Sequence, residues 1–125
     1  MPLLRDLKHG VFKVLLLDQR NSVLDVVDID EGDVARVHSS IRKIMLRTAQ
    51  AYAAGIIAVH NHPSGDPTPS EQDKLLTRDL VIAGRAMEIR VFDHLIIGDG
   101  CYFSFGDEGL IEEYEMQAVV MSNQR

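Results

Sequence analysis

Val11-Phe-Lys-Val-Leu-Leu-Leu-Asp18 is apolar and partly β-branched, and polar Gln19-Arg20-Asn21-Ser22 stops it, which predicts a buried strand. Ser22–Ile29 reads as its hairpin partner, and Asp30-Glu31-Gly32-Asp33 as a polar break. From about Arg36 to Ala53 the period changes. Val37, Ile41, Ile44, Met45, Thr48 and Tyr52 recur at three and four, which is one face of a helix. Gly55 stands where such a helix would stop. Ile56-Ile-Ala-Val-His60 is a short apolar run suited to a central strand, and Asn61–Pro69, with three prolines and a glycine, is a loop. Ser70-Glu-Gln-Asp73 opens a second helix in the manner of a capping box. That helix runs to about Met87, with Leu76, Leu80, Ala83 and Met87 on one side. Two further strands, Ile89–Phe92 and His94–Ile97, lead to the turn Gly98-Asp-Gly100. Tyr102–Phe105 reads as a last short strand and Glu108–Val120 as a final helix. The order β-β-α-β-α-β-β-β-α predicts an α/β fold, a mixed sheet flanked by helices.

Length and composition narrow the picture without changing it. The 125 residues are enough for one domain, read as 1–125, and 46% hydrophobic with 26% charged residues is the balance of an ordinary globular protein. Thirteen Lys+Arg against 19 Asp+Glu give a formal charge of −6. Such a surface repels phosphate backbones, so direct nucleic-acid binding by this domain is not expected. Cys101 is the single cysteine, which excludes an intramolecular disulfide and a Cys-rich zinc ribbon and suits a reducing, cytoplasmic setting. The longest apolar stretches are too short to span a bilayer.

Most of the chemistry lies in His60-Asn-His-Pro-Ser-Gly-Asp-Pro-Thr-Pro-Ser-Glu-Gln-Asp73. Histidines at i and i+2 of a strand face the same way, and two imidazoles supply half of a tetrahedral zinc site. A sharp proline-rich loop would return the chain so that Asp73, in the first turn of the next helix, supplies a third ligand. Three protein ligands leave one position for water, the pattern of a catalytic zinc. The same Asp73, three residues after Ser70, also suits a plain helix cap.

His60-x-His62-Pro63 followed by Ser70-x-x-Asp73 resembles the JAMM (JAB/MPN) metalloprotease motif. Within that superfamily, His-Asn-His-Pro-Ser-Gly-Asp-Pro-Thr-Pro-Ser, Leu15-Leu-Leu-Asp18 and Phe92-Asp-His-Leu-Ile-Ile-Gly-Asp-Gly100 resemble bacterial RadC-like proteins over about Val11 to Ile111. The resemblance implies the α/β/α layering that JAB/MPN domains share with cytidine deaminases. It also implies Zn2+ held by His60, His62 and Asp73, with Ser70 supporting the oxygen of a tetrahedral intermediate. A general-base glutamate is implied two residues before Phe12, where this chain has Gly10, and a second family glutamate aligns near Lys43. The general base is therefore unassigned. Asp28, Glu31, Asp66, Glu71 and His9 are the available groups, and His38, His94 beside Asp93, and Cys101 read as bystanders.

The function implied is a zinc-dependent hydrolase of peptide or isopeptide bonds, with a protein or peptide substrate whose identity the sequence does not carry. Two alternatives remain: a zinc-binding interaction domain with little turnover, or an accessory domain in DNA repair. RadC-like proteins carry a helix-hairpin-helix region ahead of this domain. Only about ten residues precede the first strand here, so the chain is expected to be the C-terminal domain alone. A zinc deaminase needs His-x-Glu and Cys-x-x-Cys, which one cysteine excludes.

Overall fold

Two apolar strands joined by a tight turn start the fold. In the computed structural model, which describes residues 10–29 and 37–123, β1 (Phe12–Leu17) pairs antiparallel with β2 (Val23–Ile29). The Asp18 carboxylate closes their turn by accepting from Arg20 and Ser22 N–H, and Asn21 takes the left-handed backbone conformation the turn needs. Helix α1 (Val37–Gln50) follows, then β3 (Gly55–Asn61), α2 (Glu71–Ala86), β4 (Arg90–Ile97), β5 (Tyr102–Ser104) and α3 (Leu110–Asn123). The five strands form one mixed sheet in the order β2-β1-β3-β4-β5, with β3 and β4 parallel and the other pairs antiparallel. This is the α/β fold expected from the element order. Among the described residues, no helix is long and apolar enough to cross a membrane.

One face of the sheet makes the core. Phe12, Val14 and Leu16 of β1, Val27 and Ile29 of β2, Ile56 and Ala58 of β3, and Val91 and Ile96 of β4 are all buried. They pack against Ile44 and Met45 of α1, Leu76, Leu80 and Val81 of α2, and Ile111 and Tyr114 of α3 in a single cluster. All three helices contribute to this one cluster.

Two local expectations are corrected. Ile89–Phe92 and His94–Ile97 form one strand, β4: its register against β3 steps from Val91 opposite Ile56 to Asp93 opposite Ile57, leaving Phe92 as an extra bulged residue. Gly55 does not stop α1, which ends at Gln50; Tyr52, at φ 53°, makes the left-handed turn after it. Gly55 instead opens β3, where a Cβ would lie 2.3 Å from the Phe92 ring.

Candidate metal centre

The parallel β3-α2-β4 unit brings the predicted residues together at the carboxyl end of β3, the usual position for a site in an open α/β sheet. His60 ends the core-facing row of β3, and His62 follows two residues later. The turn after it is fastened to the end of β4: His62 N–H donates to Ile97 O at 2.9 Å and Asp99 N–H to Gly65 O at 2.8 Å. Gly98 makes this contact possible, since a Cβ there would lie 2.4 Å from Gly65 O. The chain then enters α2 through a complete capping box. Ser70 Oγ accepts from Asp73 N–H at 3.0 Å, and Asp73 Oδ2 accepts from Ser70 N–H at 2.9 Å.

That second bond aims the carboxylate. Asp73 Oδ2 lies 3.0 Å from His62 Nε2 and Asp73 Oδ1 lies 3.4 Å from His60 Nδ1. One donor atom from each of the three residues lies within 4.8 Å of the others. Tetrahedral zinc with ligands at ~2.0–2.1 Å separates its donors by about 3.3 Å, so the spacing fits a metal. The polar contacts fit as well. His62 Nδ1 faces the Asp66 carbonyl at 2.9 Å while its Nε2 faces a carboxylate. A neutral imidazole has one N–H and can satisfy only one of those acceptors. Given to the Asp66 carbonyl, that proton leaves the Nε2 lone pair pointing at an anion, an arrangement a cation between them would resolve. His60 Nδ1 is buried with no aligned hydrogen-bond partner. Burial pushes the Asp73 carboxyl up, but the His60 ring and the Ser70 backbone N–H outweigh it and hold it well below the usual carboxylate range. The group is charged and ready to ligate.

A His-His-Asp group positioned in this way is what JAMM domains use, and comparison with known proteins agrees. The RadC-like JAB domain model matches residues 1–110. The chain belongs to the RadC-like JAB domain family. A UPF0758 protein of Pelobacter propionicus is 45% identical over 108 residues, covering 86% of this chain and 47% of its own length. Similar proteins from Porphyromonas gingivalis (43% over 111 residues) and Methanosarcina mazei (41% over 113 residues) cover 88% and 89% of the chain and 49% and 48% of their own. This JAB domain thus spans about half the length of the curated relatives it matches.

Around the triad the remaining candidates separate. Gly10 is buried just ahead of β1. It lies two residues before Phe12, which pairs with His60 at the end of β3, so the position that lacks a side chain is on the side of the sheet end where the metal group sits. Asp28 pairs with Lys13 on the opposite face of the sheet and is excluded as a base there. Asp66 spends a carboxylate oxygen on the Thr68 N–H and hydroxyl, and Glu71 points to solvent beside Lys74. Lys43 is exposed on α1. His9, Glu31 and the side chain of His38 lie outside the described residues. The exposed Cys101 Sγ lies against the Gly65 and Asp99 carbonyls. Asp93 and His94 form no dyad: the Asp93 carboxylate takes His94 N–H, Ser104 Oγ–H and Gly106 N–H, while the His94 ring turns into the core. Sequence reasoning missed Asn61 and Thr77. The buried Asn61 amide oxygen accepts Val11 N–H and ties the start of β1 to the end of β3. Thr77 binds the Asp73 carbonyl, and neither contact has a motif that announces it.

Proposed function

We propose that this JAB domain holds Zn2+ through His60, His62 and Asp73 and hydrolyses peptide or isopeptide bonds in a protein substrate. The observation that carries the reading is the Asp73 carboxylate. It faces two imidazoles at zinc-ligand spacing while its own orientation is fixed by Ser70 and that of His62 by the Asp66 carbonyl. Zinc with three protein ligands supplies a Lewis acid and lowers the pKa of a water to ~7. The chain supplies the rest. Two neutral imidazoles and one carboxylate leave the centre net positive, which favours an electron-rich carbonyl. The Ser70 oxygen already accepts Asp73 N–H, leaving its hydroxyl proton to support a developing oxyanion.

A second reading, a zinc-binding domain with weak turnover, is favoured by Gly10, which can neither take a proton nor orient a water. One experiment separates the two. Chelator-stripped protein is reloaded with zinc, the bound metal is counted, and cleavage of fluorogenic peptide and isopeptide substrates is followed for wild type and Gly10→Glu. The expected result is bound zinc in both and slow wild-type cleavage. The variant should then be faster by up to the ~10²–10⁴ of general-base catalysis. Zinc-loaded proteins that both fail to cleave would remove hydrolysis and leave binding. A chain that takes up no zinc would remove both readings.

A further inference from the structure

His94 is a polar ring in the middle of an apolar core. It sits on β4 opposite Ala58 and is fully buried. It stacks on Phe105 with ring centroids 4.7 Å apart and 5° between planes, and it meets Phe12 edge-on at 5.5 Å. Its Nδ1 is hydrogen-bonded to the Thr77 hydroxyl. Thr77 lies one turn after Asp73 on α2, and the same hydroxyl donates to the Asp73 carbonyl at 2.8 Å.

Both bonds are made together in one tautomer only. A hydroxyl has one proton to give. Thr77 gives it to Asp73 O, so its oxygen accepts from His94 Nδ1–H. His94 Nε2 is then a bare acceptor, and it is buried with no hydrogen-bond partner. Burial first, and the neighbouring His60 second, push the pKa of this ring from 6.5 down to about 3, so it remains neutral at physiological pH. An unsatisfied buried acceptor is a cost that a phenylalanine of similar shape would not carry. What the histidine adds over a phenylalanine is a donor aimed at the turn that carries Asp73.

We propose that His94 is a positioning residue for the metal group: the relay from His94 Nδ1–H through the Thr77 hydroxyl to the Asp73 carbonyl fastens the first turn of α2 to β4 and so sets the Asp73 carboxylate against His60 and His62. The capping box orients Asp73 within its own helix, whereas this relay orients that helix turn against the sheet that bears both histidines. The inference rests on the metal-binding part of the function proposed above.

The test compares zinc affinity, by competition with a chromophoric chelator, and the Co2+ absorption spectrum in five proteins: wild type, His94→Phe, Thr77→Val, the two combined, and His94→Asn. His94→Phe keeps the ring stack and loses the donor, and Thr77→Val keeps the volume and loses the hydroxyl. An asparagine amide occupies the place of the histidine Nδ1, so His94→Asn restores the donor. Zinc binding about 10–100-fold weaker in the first two, with a changed Co2+ spectrum, is expected, as for other groups that orient a ligand from behind. The two losses should not add when combined, because they break one relay. His94→Asn should recover most of the affinity. Wild type that binds zinc alongside equally tight His94→Phe and Thr77→Val proteins would overturn the relay and leave the metal site standing. Wild type that binds none would overturn both. Metal-free protein offers an independent reading: nitrogen-15 shifts should show His94 protonated on Nδ1, and a proton on Nε2 would refute the relay. If His94→Phe does not fold, Thr77→Val and the nitrogen shifts decide alone.

Discussion

Asp73→Asn separates the two tasks performed by one carboxylate. Asparagine keeps the volume and keeps an oxygen able to accept Ser70 N–H, so the capping box and the start of α2 survive. It removes the anionic oxygens that lie 3.0 Å and 3.4 Å from the two imidazoles. Zinc at about 100 times its dissociation constant stabilises a folded protein by ~2.7 kcal/mol. With an unfolding entropy of ~2.1 cal/mol/K per residue over 125 residues, that is a rise in Tm of ~10 °C. If losing the carboxylate weakens zinc about 100-fold, the same zinc concentration equals the new dissociation constant. The stabilisation then falls to ~0.4 kcal/mol and the rise to under about 2 °C. Without metal the variant should keep the cap but melt below wild type, because the contacts that hold the Asp73 carboxyl below its usual range favour its charged form in the folded protein. Calorimetric melting of both proteins across a zinc series measures all of this. A variant that keeps the full zinc-dependent rise would show that Asp73 is a helix cap and not a ligand.

Three further expectations follow from neighbouring contacts. Gly98→Ala forces a Cβ to within 2.4 Å of the Gly65 carbonyl; denaturant unfolding should show a loss of about 1–3 kcal/mol, with weaker zinc binding as the loop bearing His62 shifts. The unfolded chain protonates His94 near 6.5 and the folded one only near about 3, so between those values stability falls with pH by up to ~1.4 kcal/mol per unit. Urea unfolding from pH 7 to 4 should show a shallower decline in His94→Phe, and an unchanged decline would refute this role of His94. With a charge of −6, the chain should show no binding to duplex DNA by fluorescence anisotropy at ~150 mM salt; a complex with a steep salt slope would refute that.

The metal group was legible in the sequence because its determinants are short-range. His60 closes β3 and His62 follows directly after its end, while Ser70-x-x-Asp73 folds its own capping box, so close spacing along the chain carried both. What was missed is set by pairing across the sheet. The bulge at Phe92 exists because β4 must match β3 on either side of Ile56 and Ile57, and nothing within Arg90–Ile97 marks it. Gly55 owes its identity to the Phe92 ring, 37 positions along the chain, and so it imitated a helix stop. Thr77 reads as an ordinary interior helix position until His94 arrives 17 residues later. The place of Phe12 opposite His60, which brings the start of β1 to the end of β3, depended likewise on the antiparallel register of the two strands.

The contact between His62 and Asp73 also bears on how a metal would bind. The His62 Nε2 contact with Asp73 Oδ2 is a hydrogen bond if Nε2 carries a proton and a repulsion if it does not. A proton and a metal ion therefore compete for the same gap between the same two atoms. His62 Nδ1 keeps the Asp66 carbonyl in either state, so exchanging one cation for the other needs no rotation of the ring. Ser70 N–H holds Asp73 Oδ2 through the exchange as well. Zinc uptake should therefore weaken on acidification, and without large backbone movement. Calorimetric zinc titrations at falling pH measure that loss. An affinity that stays level as the pH falls would mean that the gap between His62 and Asp73 is not where the metal enters.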